Sequence, residues 1–126
     1  MRPSQWGQIK PSRPIGSGDV EIPGGGTTTT MFELDVHKYY EIRGFFAKHS
    51  GQDITITLQV VRPNDANDTP PAGGGTVIGV LDTLTLTDGQ SFSRSYTTPG
   101  LWLQVLATTG AGGGARLGRL AFIGRE

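Results

Sequence analysis

From Ile54 to Val60 every second residue is apolar: Ile54, Ile56, Leu58 and Val60 share one parity, and Thr55, Thr57 and Gln59 share the other. Successive side chains of an extended chain point to opposite faces, so this spacing builds a strand with one buried and one wet face. The stretch Thr76–Tyr96 repeats the pattern, with Ile78, Val80, Leu84 and Leu86 on the parity to be buried and Thr83, Thr85 and Thr87 on the other. Twenty glycines and eight prolines gather between such stretches. They punctuate strands rather than mark a disordered chain.

Further short strands are expected at Met31–Val36, with Phe32, Leu34 and Val36 on one side, and at Tyr39–Ala47, with Tyr40, Ile42 and Phe46 sharing a face around Gly44. Ser50-Gly51 and Thr98-Pro99-Gly100 read as turns. Seven or eight antiparallel strands with short connections predict an all-β chain folded as a β-sandwich, a jelly roll being one form of it.

Asp88-Gly89 is a hairpin signal. A three-residue loop, Thr87-Asp88-Gly89, sets Leu84 opposite Phe92, Val80 opposite Tyr96 and Asp82 opposite Arg94. A two-residue loop turns the aromatic residues away from the leucines, because a one-residue slip flips every side chain. The longer loop is therefore the predicted register, with Asp82 and Arg94 as a structural cross-strand ion pair. A second hairpin is predicted from Leu101–Thr109 and Ala115–Gly124, with Trp102 opposite Phe122 and Leu103 opposite Ala121. Both of its faces are apolar, so it needs two coverings.

Residues 1–26 differ from the rest. Pro3, Pro11, Pro14 and Pro23 break regular structure, and Trp6, Ile9 and Ile15 are apolar without periodic partners. The expectation is an extended Pro/Gly-rich arm over 1–26 and a sandwich domain over 27–126. Trp6 would anchor the arm on a neighbouring subunit, since aromatic residues dominate interface energetics, the alternative being an arm folded back on its own domain. Eleven basic and eleven acidic residues balance, which offers no steering field for nucleic acid or a membrane surface. No apolar run reaches the length of a membrane span, and the first residues lack an apolar signal core.

Candidate chemistry is sparse. The absence of cysteine excludes disulfides, thiolate metal sites and cysteine nucleophiles. Gly24-Gly25-Gly26 lacks the Lys-Ser/Thr ending of a phosphate loop, and Gly110, Gly112 and Ala115 lack the helix a dinucleotide site requires. Asp65, Asn67 and Asp68 resemble a calcium loop, but Thr69 and Pro70 stand where a ligand and a glycine are needed. His37 and His49 are roughly 30 Å or more apart along an extended chain. Glu33, Asp35 and Glu41 fall on outward parities and are expected on a solvated face, and Tyr39 and Trp102 could form a surface platform on which a sugar stacks, although core or interface use is the commoner role of such rings. No enzyme, cofactor or metal site is expected.

A compact glycine-rich sandwich, a Pro/Gly arm, no cysteine and no catalytic cluster together resemble the accessory proteins of tailed-phage particles, of the capsid decoration or cement type. That resemblance implies a virion protein assembled in the host cytoplasm, a trimer or similar homo-oligomer, and an arm clamping the major capsid protein through Trp6, Ile9 and Ile15. It also implies that Trp102, Leu106 and Phe122 pack between copies. A tail, fibre or baseplate component and a carbohydrate-binding module are the alternatives.

Overall fold

A computed structural model describes residues 7–8, 20–22, 24, 26, 28–51, 53–62, 75–87, 90–97, 102–110 and 114–125. The strands, in chain order, are β1 (Gly7–Gln8), β2 (Val20–Ile22), β3 (Thr28–Asp35), β4 (Glu41–Gly51), β5 (Ile54–Arg62), β6 (Thr76–Leu86), β7 (Ser91–Thr97), β8 (Trp102–Thr109) and β9 (Ala115–Arg125). They form two antiparallel sheets. Sheet A has the order β1-β9-β4-β7, with β2 also paired to β9, and sheet B has the order β3-β8-β5-β6. From β2 onward each strand lies in the other sheet from its predecessor, except that β6 stays beside β5. This winding is that of a jelly roll.

The core lies between the sheets. Ile42 and Phe46 of β4 and Phe122 of β9 meet Leu34, Ile54, Ile56, Leu58, Leu84, Leu86, Leu103 and Val105 of sheet B. The alternation read along Ile54–Val60 is the alternation that is buried. Phe46 and Phe122 pack edge to face, with centroids 5.8 Å apart at 89°. Gly44 makes room for them: a Cβ there would stand 2.6 Å from Phe46 Cζ and 2.8 Å from Phe122 Cε1. Gly51, at φ 95, ends β4 where a Cβ would stand 2.6 Å from the Gly114 carbonyl oxygen. Both a positive φ and a close backbone approach favour glycine there.

Neither predicted hairpin forms. β6 pairs with β5, placing Leu84 opposite Ile56 and Asp82 opposite Leu58. β7 pairs with β4 in the other sheet, placing Arg94 opposite Gly44 and Tyr96 opposite Ile42. β8 pairs with β3 and β5, so Trp102 lies opposite Asp35 and Val61. β9 pairs with β4, so Phe122 lies opposite Gly44. The reason is energetic: a hairpin within one sheet leaves its apolar face in search of a cover, whereas crossing to the opposite sheet turns two apolar faces onto one core.

The segment expected to be an arm contributes β1 and β2 to sheet A, both paired to β9 of the same chain. Trp6, Ile9 and Ile15, and the loop containing Asp65, Asn67 and Asp68, lie outside the described residues.

Candidate association surface

The two halves of β6 are built differently. Toward its C-terminus Leu84 and Leu86 are buried while Thr83 and Thr85 are exposed. Toward its N-terminus the ladder with β5 shifts twice. Asp82 and Val80 pair with the consecutive residues Leu58 and Gln59, leaving Leu81 extra. Gly79 and Val77 pair with Val60 and Val61, leaving Ile78 extra. Each extra residue resets which side chains face the core. Val80 thereby joins Gln59 on the outward parity, and Val77, Ile78 and Val80 are 51%, 51% and 59% exposed. This corrects the sequence reading, which put Ile78 and Val80 on one buried face with the leucines. β6 is also an edge: no described strand pairs with its other side.

Beyond this stretch the edges of the two sheets are tied together. Asp82 of β6 accepts a hydrogen bond from Tyr96 Oη of β7 at 2.7 Å and from the Thr83 N–H at 2.8 Å. Arg94 Nη1 stands 3.9 Å from Asp82 Oδ2. Asp82 and Arg94 thus face each other across the open side of the sandwich, not along a hairpin. The arrangement is unequal: Arg94 is 53% exposed at its side chain and Asp82 only 22%. Partial burial, followed by the hydrogen bond to Asp82, raises the Tyr96 hydroxyl pKa well above the ordinary tyrosine value. Tyr96 is therefore a neutral donor to Asp82. Inward-pointing charges on edge strands also discourage stray pairing.

The outer face of sheet B carries a polar row across three strands. Gln59 Nε2 donates to Gln104 Oε1 at 3.0 Å, and Gln104 Nε2 donates to Glu33 Oε2 at 3.1 Å. Glu33 is fully buried rather than solvated. The three outward carboxylates do not converge. Asp35 Oδ1 accepts from the His37 N–H at 3.1 Å and lies 2.5 Å from His37 Nδ1. Glu41 pairs with Arg125, whose Nε donates to its Oε1 at 2.6 Å. Among the described residues no group of three His, Asp or Glu side chains is placed to hold a metal.

Of the residues assigned to contacts between copies, Phe122 belongs to the chain's own core. Trp102 is 6% exposed, its ring edge-on to His37 at 5.9 Å, so it presents no face to a sugar or a partner. Leu106 is half-buried. Tyr39 packs against the core, and its neighbour Tyr40 is the exposed ring, with the Arg125 guanidinium over it at 5.4 Å. Sequence reading missed Tyr40 and the exposure of Val77 to Val80. The lack of charge from Thr76 to Leu81 was the available signal for the latter.

No protein-family model matches this chain, and no curated protein matches it in sequence. Its fold is similar to that of a subunit of Bacillus endospore appendages, a family of disulfide-linked pili, with a TM-score of 0.51 and 13% identity over 99% of this chain and 93% of that one. It is also similar to the crystal structure of PirA, with a TM-score of 0.50 and 13% identity over 91% of this chain and 98% of that one. At this identity the likeness is one of fold. The linkage that names those pili has no counterpart here, because this chain has no cysteine.

Proposed function

We propose that this chain is a non-catalytic structural subunit that associates with other protein subunits through the open side of its sandwich. The observation that carries the proposal is the run Val77, Ile78 and Val80, each more than half exposed on an edge strand. Singly exposed apolar residues are ordinary on a protein surface, but a cluster of them on a strand at the edge of the described sheet favours an interaction site. The similarity in fold to a pilus subunit over 99% of the chain supports an assembly role in an appendage. Any such assembly forms without disulfides, since no cysteine is present. Decoration of a phage capsid, with residues 1–26 gripping capsid subunits in the virion, is the second setting, and the resemblance in overall style is its support.

Sedimentation of the purified chain over a range of concentrations tests the proposal. Mass above that of a single chain, rising with concentration, is expected. A single-chain mass at every concentration overturns it.

A further inference from the structure

We infer that the stretch Thr76–Val80 packs against the same stretch of a second copy across a two-fold axis. The inference rests on the association proposed above and adds the partner and the symmetry. Three observations carry it.

The first is the shape of the edge. Within this stretch and just after it, Ile78 and Leu81 interrupt the ladder. A strand added to the side of β6 on which no described strand pairs would meet two breaks in register within a few residues, which is how natural proteins blunt an edge against strand addition. Packing of apolar side chains needs no common register. Val77, paired to Val61, and Val80, paired to Gln59, project on the outer side of sheet B, and Ile78 is the extra residue between them.

The second is charge. From Thr76 to Leu81 the chain carries none. Of the other described edges, β3 bears Glu33 and Asp35, β7 bears Arg94 and β2 bears Glu21, while β1 is only Gly7–Gln8 and offers no apolar residue. An apolar, uncharged patch gains most from a partner that has no charge to desolvate. Among the described edge strands, that partner is the same stretch of another copy.

The third is self-complementarity. Antiparallel strands related by a two-fold axis through Ile78 set Ile78 against its equivalent and Thr76 against Val80. The two Asp82 side chains then lie at opposite ends of the contact, where they do not repel. Gly79, paired to Val60, brings no side chain to the outer side on which Val77 and Val80 project. Such a contact is isologous and closes at two copies. Growth into anything larger needs a second surface.

The chain's lack of cysteine makes the test direct. In a two-fold contact residue 78 meets residue 78 of the other copy, so Ile78→Cys should cross-link to a two-chain species under mild oxidation. Tyr40→Cys, at an exposed side chain outside this stretch, is the collision control. The expected result is cross-linking of Ile78→Cys at least about tenfold faster than the control, together with at least a tenfold weaker dimer in Ile78→Asp by sedimentation. Ile78 is exposed, so at a concentration too low for association both variants should keep the parent's melting temperature, and that is checked first. If the parent associates but Ile78→Cys cross-links no faster than Tyr40→Cys, the inference falls and the association proposal stands. If the parent has a single-chain mass throughout, the association proposal falls and takes the inference with it.

Discussion

The two halves of β6 share a strand, a neighbour and an apolar composition, yet one is core and the other is surface. Leu84 and Leu86 are 3% and 0% exposed, whereas Val77, Ile78 and Val80 are at least half exposed. Hydropathy does not separate them. The separation comes from two extra residues, Leu81 and Ile78, which reset the parity of the chain against β5. A strand's buried face is therefore a property of its ladder as well as of its sequence. Where the ladder is interrupted, an apolar residue can be left for another molecule.

The sharpest way to break this comparison is to truncate both halves. Leu86→Ala removes a fully buried side chain, and it should cost about 2–5 kcal/mol in chemical denaturation. Val80→Ala should change the stability of the single chain by less than about 0.5 kcal/mol. Comparable losses from the two would mean that the N-terminal half of β6 is buried after all.

At the boundary between the halves, Asp82 and Arg94 should not behave as equal partners. Asp82→Ala strands the Tyr96 hydroxyl and the Thr83 amide and should cost about 1–3 kcal/mol. Arg94→Ala removes a long, half-exposed ion pair and should cost no more than about 1 kcal/mol. Equal losses would show that the ion pair, not the hydrogen bonds, closes this side of the sandwich.

The smallest effect sharpens the same boundary through pH. The Tyr96 hydroxyl has a raised pKa in the folded chain, so folding favours its protonated form. Its contribution is complete below the unfolded value of 10.0 and is lost as pH rises above that value toward the folded one. Between neutral pH and about pH 9 this group should add no slope to stability. Above pH 10, Tyr96→Phe should lose less stability per pH unit than the parent. Parallel alkaline slopes in the two proteins would remove Tyr96 from the account.

Much of the fold was legible because β5 is regular. Its alternation from Ile54 to Val60 is unbroken, and it lies in the middle of sheet B, where a single pattern determines the buried face. Gly44 and Gly51 were legible as places where the chain comes close to itself or turns. The pairing was not legible, because hairpin signals presume that neighbours in sequence are neighbours in a sheet. In this winding only β5 and β6 obey that rule among the longer strands. Asp82 and Arg94 were found by their oddity, as charges on apolar parities, and they do approach each other, but across the gap between the sheets. Glu33 was misplaced for a related reason. Its outward parity was correct, yet the face it points from is covered around Gln104 and Trp102, and parity alone does not say what lies over a sheet.

The position of β9 has a consequence for how the molecule is made. β9 lies between β4 and the pair β1 and β2, so it joins the earliest described strands to the rest of sheet A. It also follows every other described strand in the chain. During synthesis, β1 and β2 must wait for their partner until all the strands between have emerged from the ribosome. Long-range pairing of this kind folds slowly and leaves strand edges open in the meantime. Until Ala115–Arg125 arrives, one edge of β4 has no neighbour. The nascent chain is then most open to pairing with the wrong partner.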